Sequence, residues 1–305
     1  MSSFSSSNPP FGVNEAHALV TGQLPHSVCP PPTSDLVDGN RYAPAVMEVA
    51  HERAVEYMVN HWYSSNSVVL ADEDDLNRPL EIAKFFARLI YLRGVQRPSL
   101  ILVTELQLQV WMEALSNQLT EHDFLVYDGD QDTRQRIQNE MLISPVYPRR
   151  LLYNVILMTH ESAVEDADFL TMFSWEILAI DEAYLVKSPE SKIYRALVTL
   201  PVRCRIFITD TPSKFGPNGL AALLSFALPS ESQAVIHGRG SYFSRLTPDD
   251  TAEQINDRVE ELNKKLERIM IKRTVAEMER APTPASSFGS VHGSSEQSER
   301  RHATP

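Results

Sequence analysis

The chain has 305 residues and a net charge of −12, from 28 basic and 40 acidic side chains. A chain that acidic lacks the basic field that nonspecific nucleic-acid binding by the whole surface requires. Two cysteines, Cys29 and Cys204, exclude a disulfide framework and a CxxC metal site, and the histidines show no ligand spacing. No apolar run reaches the length of a membrane span and the N-terminus lacks a signal-peptide core, so the expectation is a soluble intracellular protein that is not secreted.

Residues 1–43 are rich in Ser, Pro and Gly without an apolar period and are expected to be disordered. Val46, Val49, Ala50, Ala54, Val55, Met58 and Val59 then recur at three- and four-residue spacing, which predicts an amphipathic helix to about Trp62. Val68-Val69-Leu70 reads as a short buried strand. The loop from Asp72 to Arg78 follows, and Pro79 opens a helix as an N1 proline, with Ile82, Ala83, Phe86, Leu89 and Ile90 on its apolar face. The alternation repeats: strands at 100–103, 124–127 and 154–158, helices at 106–119 and 133–141, and mixed helix at 161–172. Ile177 to Ile180 carry no polar alternation, the pattern of a strand buried on both faces of a parallel sheet. Ser188-Pro189-Glu190 opens another helix, 205–209 is a strand and 220–228 a helix. Lys264, Lys265, Arg268, Lys272 and Arg273 are assigned to a last helix. Strands and helices alternating in this way predict an α/β three-layer sandwich around a mostly parallel sheet, with the folded domain at 44–280 and a disordered Ser-rich tail at 281–305.

The strand Ile177–Ile180 ends on Asp181 and Glu182. Ligands of open α/β sheets sit beyond the carboxyl ends of the strands, and an Asp-Glu pair there is how phosphoryl-transfer ATPases hold magnesium and orient water. Alone, such a pair reads better as a strand that merely ends in a polar loop.

Four stretches in order carry more: ADEDDLNRP at 71–79, DEAYLVKSPESK at 181–192, TDTP at 209–212 and RIMIKRTVAEM at 268–278. The series resembles the N-terminal motor lobe of the SWI/SNF-type (Snf-family) chromatin-remodelling ATPases, members of helicase superfamily two, whose stretches read close to ADEMGLGKT, DEAHRLKNxxSK, TGTP and LRRxKxDV. Leu100–Val103 with Trp111, Val126–Asp130 and Met158–Glu161 resemble further family stretches, so the likeness covers roughly 46–280. It implies a single RecA-like (P-loop NTPase-type) lobe, ATP and magnesium as the family's ligands, and Asp181 as the magnesium position. It also implies an adenine-reading position at His51 and a coupling turn at Thr209, Asp210, Thr211 and Pro212.

The departures fall on the nucleotide loop Asp72, Glu73, Asp74, Asp75, Leu76, Asn77, Arg78 and Pro79. Asp75 and Asn77 stand at its two glycine positions, Arg78 at the lysine and Pro79 at the hydroxyl that would bind magnesium. Proline supplies neither hydroxyl nor N–H, and arginine's planar group does not reproduce an ammonium's reach. A carboxylate ~5 Å from a phosphate costs roughly 3 kcal/mol at an effective dielectric of ~20. Tyr184 replaces the usual His, and Asp210 replaces a Gly, placing a Cβ and a charge in a turn that favours glycine. The chain ends without sequence for a second lobe. The preferred reading is therefore a catalytically inactive lobe, a pseudo-ATPase with vestigial Asp181 and Glu182, serving as a binding or scaffold module with no cofactor of its own. The alternatives are a residual ATP-binding, DNA-dependent ATPase or translocase subunit completed in trans by a second lobe, and a truncated relic. The resemblance implies a nuclear location, otherwise cytoplasmic, and a protein partner such as a chromatin complex. DNA contact is the less favoured outcome, and Trp111 and Trp175 read as core aromatics.

The loop chemistry yields a prediction: the purified protein takes up no Mg-ATP at millimolar concentration in titration calorimetry. Binding heat that disappears in Asp181→Ala would contradict it.

Overall fold

The computed structural model describes residues 44–73, 76–139, 151–210, 212–228 and 250–280. The segments 1–43 and 281–305, read from the sequence as disordered, lie outside the described residues, as do Asp74, Asp75 and Thr211.

Seven strands form one sheet in the order β3-β4-β2-β5-β6-β1-β7. They are β1 (Val68–Leu70), β2 (Ser99–Val103), β3 (Phe124–Tyr127), β4 (Val155–Thr159), β5 (Trp175–Ile180), β6 (Val202–Ile208) and β7 (Met270–Ile271). Every pairing is parallel, so the sheet expected to be mostly parallel is wholly so. Parallel strands need crossover elements, and the chain supplies helices between them. Those helices are α1 (Pro44–Tyr63), α2 (Arg78–Ala87), α3 (Leu108–Ser116), α4 (Gln131–Ile137), α5 (His160–Glu165), α6 (Ala167–Leu170), α7 (Lys192–Val198), α8 (Gly216–Ala227), α9 (Ala252–Glu267) and α10 (Val275–Arg280).

Two apolar clusters sandwich the sheet. Ile177 and Ala179 of β5 join Ala54, Phe86 and Trp111 of the first three helices on one face. Leu178 and Ile180 join Leu197, Leu223 and Leu262 of the later helices on the other. Side chains alternate between faces along a strand, so an unbroken apolar run marks a strand covered on both. That rule reads β5 correctly: all six of its residues are buried.

Local chemistry sets the element ends. Asp130, Thr159 and Ser191 cap α4, α5 and α7 by accepting the N–H of Thr133, Ser162 and Tyr194. Thr251 and Gln254 form a reciprocal capping box at the start of α9. The helix expected to open at Ser188-Pro189-Glu190 starts instead after Ser191, whose hydroxyl accepts the otherwise free Tyr194 N–H of the first turn. The basic residues assigned to a last helix divide among three settings. Lys264 and Lys265 end α9, whereas Arg268 is its C-cap. Lys272 and Arg273 lie beyond β7. The helix stops because Ile269, Met270 and Ile271 meet the free edge of β1, where the N–H groups of Val69 and Ala71 donate to Ile269 O and Ile271 O, both at 2.8 Å.

At the amino edge, Glu176 is the buried acceptor of the Trp62 indole (2.7 Å) and pairs with Arg203 (2.6 Å), which lies over the Trp62 ring. Glu176→Ala leaves that indole N–H unpaired and is expected to lower stability by about 2–4 kcal/mol in urea unfolding. Glu176→Gln, which keeps an acceptor oxygen, is expected to lose less.

Candidate functional site

The sequence-predicted site residues gather at the carboxyl edge of the sheet. The stretch Asp72 to Arg78 connects β1 to α2, Asp181 and Glu182 follow β5, and Thr209, Asp210 and Pro212 follow β6. Thr209 and Pro212 are buried and Asp210 is exposed. Adjacent strands level these turns: the Thr209 N–H donates to Leu70 O at 3.0 Å, and the Asp181 N–H donates to Leu102 O at 2.9 Å.

The β1–β7 register decides what happens to the loop. Val69 lies level with Met270 and Leu70 with Ile271, and the same offset brings Asp72 level with Arg273. Asp72 is fully buried. Its Oδ1 accepts the backbone N–H of Arg273 at 2.7 Å, and its Oδ2 accepts from the guanidinium Nε at 3.0 Å and from Nη2. Nη2 also donates to Glu81 Oε1 of α2 at 2.7 Å, and Nη1 donates to Ala50 O of α1. One buried cation thus serves two buried carboxyl groups and a helix carbonyl. Burial raises the Glu81 pKa to about 8; Arg273 opposes this shift and the Asp72 charge adds to it. Glu81 Oε2 has no hydrogen-bond partner among the described residues.

The remaining loop groups also engage the protein. His51 is buried on α1, and its Nε2 lies 3.0 Å from Leu76 O. A carbonyl only accepts, so Nε2 carries the proton, and burial holds the ring below its ordinary pKa. Leu76 is buried among Met47, Ala50 and Val275. Asn77 adopts φ 54°, ψ 63°, and its side chain caps α2 by accepting the Leu80 N–H. An asparagine thus reproduces the left-handed backbone that a glycine would supply there. Arg78 Nη1 donates to Asp72 O at 2.7 Å, and Pro79 lies in the first turn of α2. Glu73 is exposed, yet its Oε2 accepts the Val275 N–H at 2.9 Å.

Asp181 is buried, and both its oxygens are in use: Oδ2 accepts the Trp111 indole N–H at 2.9 Å and Oδ1 accepts the Glu182 N–H at 3.0 Å. Burial raises its pKa, an effect that these two hydrogen bonds and the nearby Arg78 cation oppose. His160 Nε2 donates to Asp181 O at 2.9 Å. Glu182 has φ 51°, a strained backbone for a side chain of that size.

One expectation changes. Arg273, assigned with the other basic residues to a last helix, is instead buried on Asp72 and Glu81. Sequence reasoning missed Arg273 and Glu81 as determinants of the loop. Glu81 stands four residues before Phe85, at inward helical spacing, a signal that was present. The Arg273 pairing depends on a register that no local pattern shows.

The triad generates a pH prediction. A carboxyl group with a raised folded pKa holds an extra proton in the folded state, so stability falls as pH rises from 4.5 to about 8. Glu81→Gln has no such proton to release. The stability difference between wild type and variant is expected to shift against wild type across that window, by at most about 1.4 kcal/mol per pH unit. Urea midpoints taken along the window check this; a constant difference would assign the proton elsewhere.

Comparison with known proteins gives a consistent result. Residues 50–299 match the SNF2-related domain. Chromodomain-helicase-DNA-binding protein 1 of Gallus gallus is 25% identical over 232 residues, covering 74% of this chain and 13% of the relative. Protein CHROMATIN REMODELING 4 of Arabidopsis thaliana is 28% identical over 231 residues, 73% of this chain and 10% of the relative. The ISWI chromatin-remodeling complex ATPase ISW2 of Saccharomyces cerevisiae is 25% identical over 233 residues, 76% of this chain and 20% of the relative. In structure, the Sulfolobus solfataricus SWI2/SNF2 ATPase core in complex with dsDNA superposes with a TM-score of 0.58 at 23% identity, over 74% of this chain and 44% of that one. This chain therefore spans a fifth or less of those three relatives and under half of the solved core.

Proposed function

The chain belongs to the SNF2-related domain family, and from that premise we propose that it is a catalytically inert remodeller-type ATPase lobe working as a binding or scaffold module. The observation that carries this reading is Arg78: the cation at the lysine position donates to Asp72 O, within its own loop, at 2.7 Å. The neighbouring donor set fits Mg-ATP no better. Pro79 offers no hydroxyl, His51 Nε2 is spent on Leu76 O, and Asp181 directs its two oxygens to Trp111 and Glu182. A triphosphate and its metal would have to displace these contacts beside the exposed carboxylate of Glu73, and no catalytic step is derived through them.

The relatives are named as chromatin-remodelling proteins, which supports a nuclear chromatin complex as the setting and a protein as the partner. Support for DNA contact thins, because Arg273 is buried and Lys264 pairs with Glu260. No described helix is long and apolar enough to cross a membrane.

A second reading, residual ATP binding in a DNA-dependent ATPase completed by another lobe, draws on Asn77, whose left-handed backbone keeps a glycine-like path at the loop. Turnover assays with and without duplex DNA separate the two. The wild-type chain is expected to hydrolyse no ATP. A repaired loop (Asp75→Gly, Asn77→Gly, Arg78→Lys, Pro79→Thr) is expected to gain nucleotide binding, whereas DNA-stimulated turnover also requires an arginine finger, which contributes roughly 10³–10⁵ in rate. Wild-type turnover abolished by Glu182→Gln would favour the second reading.

A further inference from the structure

The loop Asp72–Arg78 receives contacts from a segment nearly two hundred residues later in the chain. The parallel ladder between β1 and β7 does not stop at the strand ends. After Val69 and Ala71, the Glu73 N–H donates to Arg273 O at 3.2 Å, so the first residues of the loop are zipped to the far segment. Glu73 then returns the contact by accepting the Val275 N–H at 2.9 Å. Beneath this ladder the Arg273 guanidinium joins Asp72, Glu81 and Ala50 O, and Val275 packs on Leu76, Met47 and Ala50. The contacts therefore come from both backbone and side chains, and they engage both ends of the loop and the two helices flanking it.

We propose that residues Ile269–Val275 are an intramolecular latch that holds Asp72, Glu73 and Leu76 of the nucleotide-type loop in place without any nucleotide, with Arg273 as its positioning residue. A phosphate-binding loop holds its anion through backbone N–H groups and a cation. Here the contacts come from within the chain. The cation reaching the loop's buried carboxylate is Arg273, and the latch amide of Val275 caps Glu73. The latch makes the carboxyl edge a preformed surface, and a change that unzips β7 opens it. The inference concerns the same loop as the scaffold reading but stands on these contacts alone. ATP binding tests that reading, and loop order without nucleotide tests this one, so each can fail separately.

Hydrogen exchange of the nucleotide-free protein, read by mass spectrometry, decides the matter. In wild type the amides of Glu73, Leu76 and Glu81, which donate to Arg273 O, Glu73 O and Asn77 O, are expected to be protected. In Arg273→Met they are expected to exchange about tenfold faster or more, while Ile101 and Leu178 in the central strands keep wild-type rates. Glu73→Ala removes an exposed side chain, leaves the buried triad intact and is expected to accelerate the Val275 and Leu76 amides alone. That variant decides the outcome should Arg273→Met fail to fold. Loop amides that exchange without protection in wild type, or at wild-type rates in every variant that folds, would overturn the proposal.

Discussion

A buried guanidinium between two buried carboxyl groups is the constraint on which the carboxyl edge depends. Removing such charges from water costs several kcal/mol per ion, and the arrangement persists only where hydrogen bonds replace the lost hydration. Arg273 meets that condition through its planar fork, which contacts Asp72, Glu81 and Ala50 O at once. Two carboxyl groups facing one cation leave one acid in excess, and the protein accommodates it by raising the Glu81 pKa rather than by admitting another charge. The triad joins β7, the start of the loop, α1 and α2, so those four elements cannot shift independently.

The same edge shows how the sheet supports a loop whose side chains are engaged within the chain. The strands below it are as apolar and as buried as any parallel sheet demands, and the turns above them remain level because the strands are in register. Changes at Asn77, Arg78 and Pro79 act on side chains and caps above that framework. Asn77 tolerates a left-handed backbone, Pro79 suits a first helical turn where an N–H would be unpaired anyway, and Arg78 finds a carbonyl within its own loop. Each of these three residues is locally comfortable, and each contact is made within the chain. Asp181 follows the same logic, since its oxygens point to an indole and a backbone amide of the protein itself.

The places where sequence reasoning went wrong have a common cause. Basic residues from Lys264 to Arg273 look like one charged helix face because charge and spacing are local, whereas the strand at Met270–Ile271 forms only because the edge of β1 is open to it. Glu81 was legible in principle, since an acid at the inward spacing of an apolar helix signals a buried partner. Which partner could not be read, because it lies 192 residues away.

The sequence by itself determined the alternation of strand and helix, the doubly covered sheet and the clustering of the motif residues at strand ends. All of these follow from residue type, period and order, which act over a few positions. The tertiary structure alone decided that β7 closes the sheet, that Asp72 meets Arg273, that Trp111 holds Asp181 and that His51 holds Leu76. Those contacts depend on strand register and on burial, and both are set by packing across the whole chain rather than by any stretch of it.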